Sequence, residues 1–192
     1  LFRLVGSEMC IRDSFNTTFL NQAGALVHVY TDGSVHLNHG GTEMGQGLNT
    51  KVAQIVAHEF QIDFDAIKIT ATTTGKVPNT SATAASSGTD LNGMAAQTAA
   101  RTIKTRMTTH LAGLHECAAK DVIFSEGMVR AGAVRLSFAE AVKTCYMGRV
   151  SLSSTGYYAT PKIHWDSARA RGRPFYYFAY GAAVSEVVID TL

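Results

Sequence analysis

The chain of 192 residues carries only three cysteines, Cys10, Cys117 and Cys145, and no two of them form a Cys-x-x-Cys pair. That excludes an iron–sulfur or zinc centre assembled from thiolates of this chain alone. An odd, scattered set reads as reduced thiols of a cytoplasmic protein. Cys117 and Cys145 are expected to act as buried small hydrophobes. The seven histidines lack ligand spacing, and His36 and His39 fall on an expected strand end rather than a helix. No metal ligation by side chains is therefore expected. Continuous apolar runs stay well short of the roughly 18 residues that a spanning helix needs, so no membrane partner is expected. A net charge of +2, with no run of five or six basic residues, gives no electrostatic case for nucleic acid.

What the chain does have is an ordinary globular balance, 46% apolar and 17% charged. That is enough to bury a core and argues against disorder. Residues 1–14 show neither helical nor strand periodicity and resemble a translated sequencing adaptor, so they are expected to be non-native. Residues 187–192 read as an apolar strand cut short. The region 15–192 is expected to be an incomplete domain.

Residues 23–30 alternate as a strand, and Asp32-Gly33 is a hairpin signal before a return strand at 35–38. The glycine-rich loop 40–47 follows, and Leu48, Val52, Ile55, Val56 and Phe60 then repeat with helical spacing. A strand is predicted at 67–71 and a loop at 72–81 with Pro78 and Asn79. A long alanine-rich helix is predicted from Ser86 or Ser87, either of which could cap it, to about Gly113, with Asp90 suited to its first turn. A short hairpin at 121–136 turns at Gly127 and Gly132. A helix follows at 138–146, then a strand at 150–160 ended by Pro161. Residues 162–174 read as a loop and 175–192 as a strand bent near Gly181. Hairpins mixed with helices indicate an α+β fold rather than a regular βαβ array.

The sharpest local feature is the loop Gly-Gly-Thr-Glu-Met-Gly-Gln-Gly at 40–47. Four glycines let backbone N–H groups approach a ligand, and the helix that follows favours anions. A ligand loop and a tight structural turn weigh about equally on composition. The spacing fits neither a P-loop nor a dinucleotide fingerprint. A second run of small residues, Thr-Ala-Ala-Ser-Ser-Gly at 83–88, leads into the long helix, where plain capping is the better reading. Two such helix starts could converge on one ligand. Glu43, inside the glycine loop, is read as a cap or loop hydrogen-bond acceptor rather than a general base. The aromatics Phe175, Tyr176, Tyr177, Phe178 and Tyr180 are read as core.

Taken together, residues 19–26, 40–51, 77–81, 83–86, 151–158 and 177–192 resemble the molybdenum hydroxylases of the xanthine/aldehyde oxidase family, and most closely the xanthine dehydrogenase branch. The resemblance implies a molybdopterin-binding region of the large subunit. It implies oxidative hydroxylation of hypoxanthine or xanthine with water as the oxygen source, and electrons passed through 2Fe-2S clusters and FAD to NAD. The clusters and flavin would sit on a small partner subunit in a cytoplasmic hetero-oligomer. Carried over by position, Met44, Gly45, Gln46, Ala84, Ala85 and Ser86 would surround the cofactor, with the Ala85 backbone beside the molybdenum. Phe15 would stack on the purine and Asn16 would stand near it, where xanthine oxidases usually have threonine. The family's catalytic glutamate is expected beyond Leu192, which leaves this segment inactive alone. An aldehyde-oxidising relative, and a non-catalytic module for a phosphorylated ligand, are the alternative readings.

Overall fold

In the computed structural model the described residues are 17–76, 80–84, 87–177 and 184–191. Strand β1 (Gln22–Val29) turns through Asp32 and Gly33 into β2 (Val35–His39), pairing Val27 with Leu37 antiparallel. The turn forms as the Asp-Gly pair dictates. Gly33 takes φ 85°, and the Asp32 carboxylate accepts from the Ser34 N–H and hydroxyl. Those bonds hold the Asp32 carboxyl below its usual range.

Helix α1 (Leu48–Phe60) carries the chain over to β3 (Ile67–Ile69), which runs parallel to β2. One βαβ crossover thus sits inside the otherwise antiparallel, α+β arrangement. Strand β7 (Ser153–Ala159) closes the sheet against β1, in the order β3-β2-β1-β7.

Helix α2 (Gly88–Leu114) lies across β1 and β7 and beside α1. Its alanines explain the close approach: Ala95, Ala96, Ala99 and Ala100 are fully buried, and a Cβ on Gly156 of β7 would fall 2.0 Å from the Ala95 carbonyl oxygen. Ala25, Val27, Val35, Leu37, Val52, Val56, Phe60 and Ile103 fill the space between sheet and helices. Full burial of one such valine or leucine contributes roughly 1.5–3 kcal/mol. Glu59 of α1 accepts from Arg101 of α2 at 3.1 Å and lies 3.7 Å from the Lys104 ammonium.

Residues 122–137, expected to form one hairpin, form two. Strands β4 (Val122–Ser125), β5 (Met128–Ala131) and β6 (Val134–Ser137) are a meander whose turns use Gly127 and Gly132 at positive φ. Helix α3 (Phe138–Met147) starts on a capping box between Ser137 and Glu140. Cys145 is buried and Cys117 half-buried. Burial pushes the Cys145 thiol up to about 11.

Three expectations need correction. The stretch 162–174 contains a small hairpin, β8 (His164–Asp166) with β9 (Arg171–Arg173), because the Asp166 carboxylate gathers the Ala168 and Arg169 N–H groups into a turn. The expected strand at 175–192 does not form over its described residues, 175–177 and 184–191, which pair with no sheet edge. Val184 is 96% exposed and Val188 88%. Tyr176 and Tyr177 are likewise exposed rather than core. Phe178, Tyr180 and Gly181 lie outside the described residues, as do Pro78 and Asn79.

Candidate functional site

The loop 40–47 joins β2 to α1, and its four glycines divide into two pairs. Gly40 and Gly41 are needed for packing. A Cβ on Gly40 would lie 2.6 Å from the Thr80 side chain, and one on Gly41 would lie 2.5 Å from Leu48 Cδ2 and 2.8 Å from Asn92 Nδ2. Gly45 and Gly47 are needed for conformation: they take φ 92° and 74° in open space.

Between the pairs, the loop satisfies its own backbone. The Glu43 carboxylate accepts from the N–H groups of Gly45 (2.9 Å), Gly47 (3.0 Å) and Asn49 (3.0 Å). The Asn49 bond leads the causes that hold the Glu43 carboxyl below its usual range. The Gln46 amide accepts from Met44 N–H at 2.6 Å and donates to the Thr42 carbonyl at 2.9 Å. At the base of the loop, Gly41 N–H donates to Nδ1 of the buried His39 at 3.2 Å, which leaves the ring proton on Nε2. Burial holds the His39 pKa below 6.5.

The second run of small residues meets this loop directly, since Thr42 N–H donates to Thr83 Oγ1 at 2.8 Å. Ser87 occupies the N-cap position of α2 without capping it; its hydroxyl donates back to the Ala84 carbonyl at 2.9 Å. Capping by Ser87 is therefore corrected, because the αR backbone of Ser87 turns its hydroxyl away from the first turn. Asp90 does sit in that turn. Burial raises its pKa, opposed by a hydrogen bond from Tyr177.

The two helix starts converge on a cleft of about 420 Å³ lined by Met44, Gln46, Leu48, Lys51, Thr83, Ala84, Gly88 and Thr89. That volume suits a small-molecule site, conventionally roughly 300–1,000 Å³. Lys51 is the charged side chain on its wall, and its ammonium donates to the Gln46 carbonyl at 2.9 Å. Ala84 and Gly88 leave their side free of bulk. Among the described residues no three His, Cys, Asp or Glu side chains come together to hold a metal.

A family model described as "molybdopterin cofactor-binding domain" matches residues 4–192. The chain belongs to that family. It is 49% identical over 179 residues to a xanthine dehydrogenase of Oryza sativa subsp. japonica, and 45% identical over the same length to a xanthine dehydrogenase/oxidase of Gallus gallus. Each match covers 93% of the chain and 12% of the relative, so the chain spans about an eighth of the curated relatives' length. Among solved structures, CO dehydrogenase from Oligotropha carboxidovorans matches 72% of the chain and 18% of its own, with a TM-score of 0.65 at 27% identity. A Cu,Mo-CO dehydrogenase matches 74% of the chain and 19% of its own, with a TM-score of 0.66 at 27% identity.

Of the residues singled out in the sequence, Met44, Gln46 and Ala84 line the cleft and Gly45 joins the first two. Ala85, Ser86, Phe15 and Asn16 lie outside the described residues. Of the two readings left level for the glycine loop, its N–H groups favour the structural turn: they are taken at Gly45, Gly47 and Asn49 by Glu43 and at Met44 by Gln46. Lys51 was missed in the sequence, where no motif marks it; its place one turn into α1 after the glycine loop is the signal that could have found it.

Proposed function

We propose that this segment forms one wall of the molybdenum-cofactor site of a xanthine dehydrogenase, a molybdenum-dependent oxidoreductase of purine catabolism. The convergence of the 40–47 loop and the 83–89 turn on one cleft carries the reading. The cleft fits an anionic organic ligand: it has one cation, two small residues on one side, and a neighbouring helix start with no side-chain cap. Bound there, the cofactor would supply the two-electron chemistry that oxidises the purine.

The chain's own residues bind and orient. Met44, Gly45, Gln46 and Ala84 would hold the pterin, and the family resemblance assigns Ala85 and Ser86 to the same site, with the Ala85 backbone beside the molybdenum. Lys51 favours the ligand's negative charge. By the same resemblance, Phe15 would stack on the purine and Asn16 would stand near it. The catalytic glutamate belongs to another part of the full-length protein. There, 2Fe-2S clusters and FAD on a small partner subunit would supply the electron path to NAD, in the cytoplasm. Identities of 45–49% to proteins named xanthine dehydrogenase support this substrate class over aldehydes.

The test is the full-length protein assayed for molybdenum and for xanthine-dependent NAD reduction. Molybdenum with hypoxanthine and xanthine turnover is expected. A molybdenum-loaded protein that oxidises aldehydes and neither purine would overturn the substrate assignment.

A further inference from the structure

Beside its bonds to His39, Thr83 and Lys51, the 40–47 loop is shaped by its own side chains, and Glu43 makes three of those bonds to Gln46's two. Both oxygens of the Glu43 carboxylate are engaged: Oε1 takes the Gly45 and Gly47 N–H groups and Oε2 takes that of Asn49 in the first turn of α1. The glycines at 45 and 47 have open space around them, so packing does not fix their left-handed backbone. The anion-binding end of α1 is already filled by the chain's own carboxylate, so a ligand's anionic part is directed elsewhere in the cleft. Met44 and Gln46, which line the cleft, lie between the residues that Glu43 ties together.

We infer that Glu43 is a positioning residue: its carboxylate gathers the backbone of 45–49 and so presents Met44 and Gln46 to the molybdopterin cofactor. This rests on the cofactor reading above. The Glu43 side chain is exposed and the bonds given for it run to backbone N–H groups of the loop and the first turn of α1, so its loss should leave the fold intact.

The experiment compares full-length wild-type protein with Glu43→Ala and Glu43→Gln. Two quantities are read: hydrogen exchange of the amides at 45, 47 and 49, and pterin and molybdenum per protein. Thermal unfolding serves as the fold control. Carboxylate hydrogen bonds are strong enough that Glu43→Ala should speed exchange at those amides about tenfold or more. Cofactor content should fall to less than half with unfolding unchanged. Glu43→Gln retains one acceptor oxygen and should fall between.

Wild-type exchange at 45, 47 and 49 in Glu43→Ala would overturn the inference, as would full cofactor retention by a variant whose loop exchanges faster. If Glu43→Ala does not fold, the same two readings on Glu43→Gln decide. If the wild-type protein itself carries no pterin, the cofactor reading fails, while the exchange rates still decide whether Glu43 orders the loop.

Discussion

The two helices that begin beside the cleft begin in opposite ways. Helix α1 is closed by an acidic side chain of the preceding loop, which takes N–H groups up to Asn49. Helix α2 has no side-chain cap, and the serine placed to provide one donates backward to Ala84. Both sequences look alike beforehand, a string of small residues before an amphipathic run. The difference is one carboxylate four residues before the helix-starting glycine. A glycine-rich loop is therefore not in itself an anion site; what decides is whether a nearby carboxylate has already claimed its N–H groups. By that criterion the anion-tolerant side of the cleft is the α2 start, with Lys51 across from it.

The comparison can be broken most severely at Gly41, where the two starts touch. The Cβ of Gly41→Ala would meet Leu48 at the start of α1 and Asn92 in α2. Overpacking there should destabilise the region by roughly 1–3 kcal/mol. Faster hydrogen exchange in both helices would show it, whereas exchange altered in one helix only would mean that the starts are not locked together.

Acid should loosen the same junction. Burial depresses the His39 pKa, so its contribution is whole above 6.5 and is lost as pH falls through the folded value. Glu43, also depressed, keeps its contribution above 4.5 and loses it only as pH falls below that. An NMR titration should show 40–41 shifting with a midpoint below 6.5 and 45–49 with one below 4.5; a midpoint above either value would contradict the assignment.

Thr83→Val removes the acceptor for Thr42 N–H while keeping the side chain's shape. A loss of about 1 kcal/mol is expected, seen as faster exchange at Thr42. The smallest effect sharpens the contrast. Ser87→Ala should change α2 by less than about 0.5 kcal/mol, whereas Ser137→Ala, which breaks a true capping box, should cost α3 about 1 kcal/mol. Equal effects would show that Ser87 caps after all.

Much of this was legible in the sequence, because it is written in local rules. Asp32-Gly33 set the hairpin, Ser137 with Glu140 set the start of α3, and the alanines of α2 announced the close approach to β7. What escaped depends on partners distant in the chain. Nothing local says that β3 runs parallel to β2, or that Gly40 and Gly41 serve packing while Gly45 and Gly47 serve φ. The segment 184–191 misled because its apolar residues satisfy a strand pattern, yet a strand is made by its partner, and 184–191 pair with none of the described strands. At the site, spacing showed two small-residue helix starts and the family resemblance named the ligand. Only the fold showed that they share a cleft.

The most direct test of that shared cleft is to fill it. Ala84 lines it and is half-buried, so Ala84→Phe in the full-length protein would place a ring where the ligand is proposed to lie, without entering the core. Pterin and molybdenum per protein should drop to less than about a fifth of wild type, with thermal unfolding of the cofactor-free protein unchanged. Wild-type pterin and molybdenum content in the Ala84→Phe protein would contradict the cleft as the cofactor's seat.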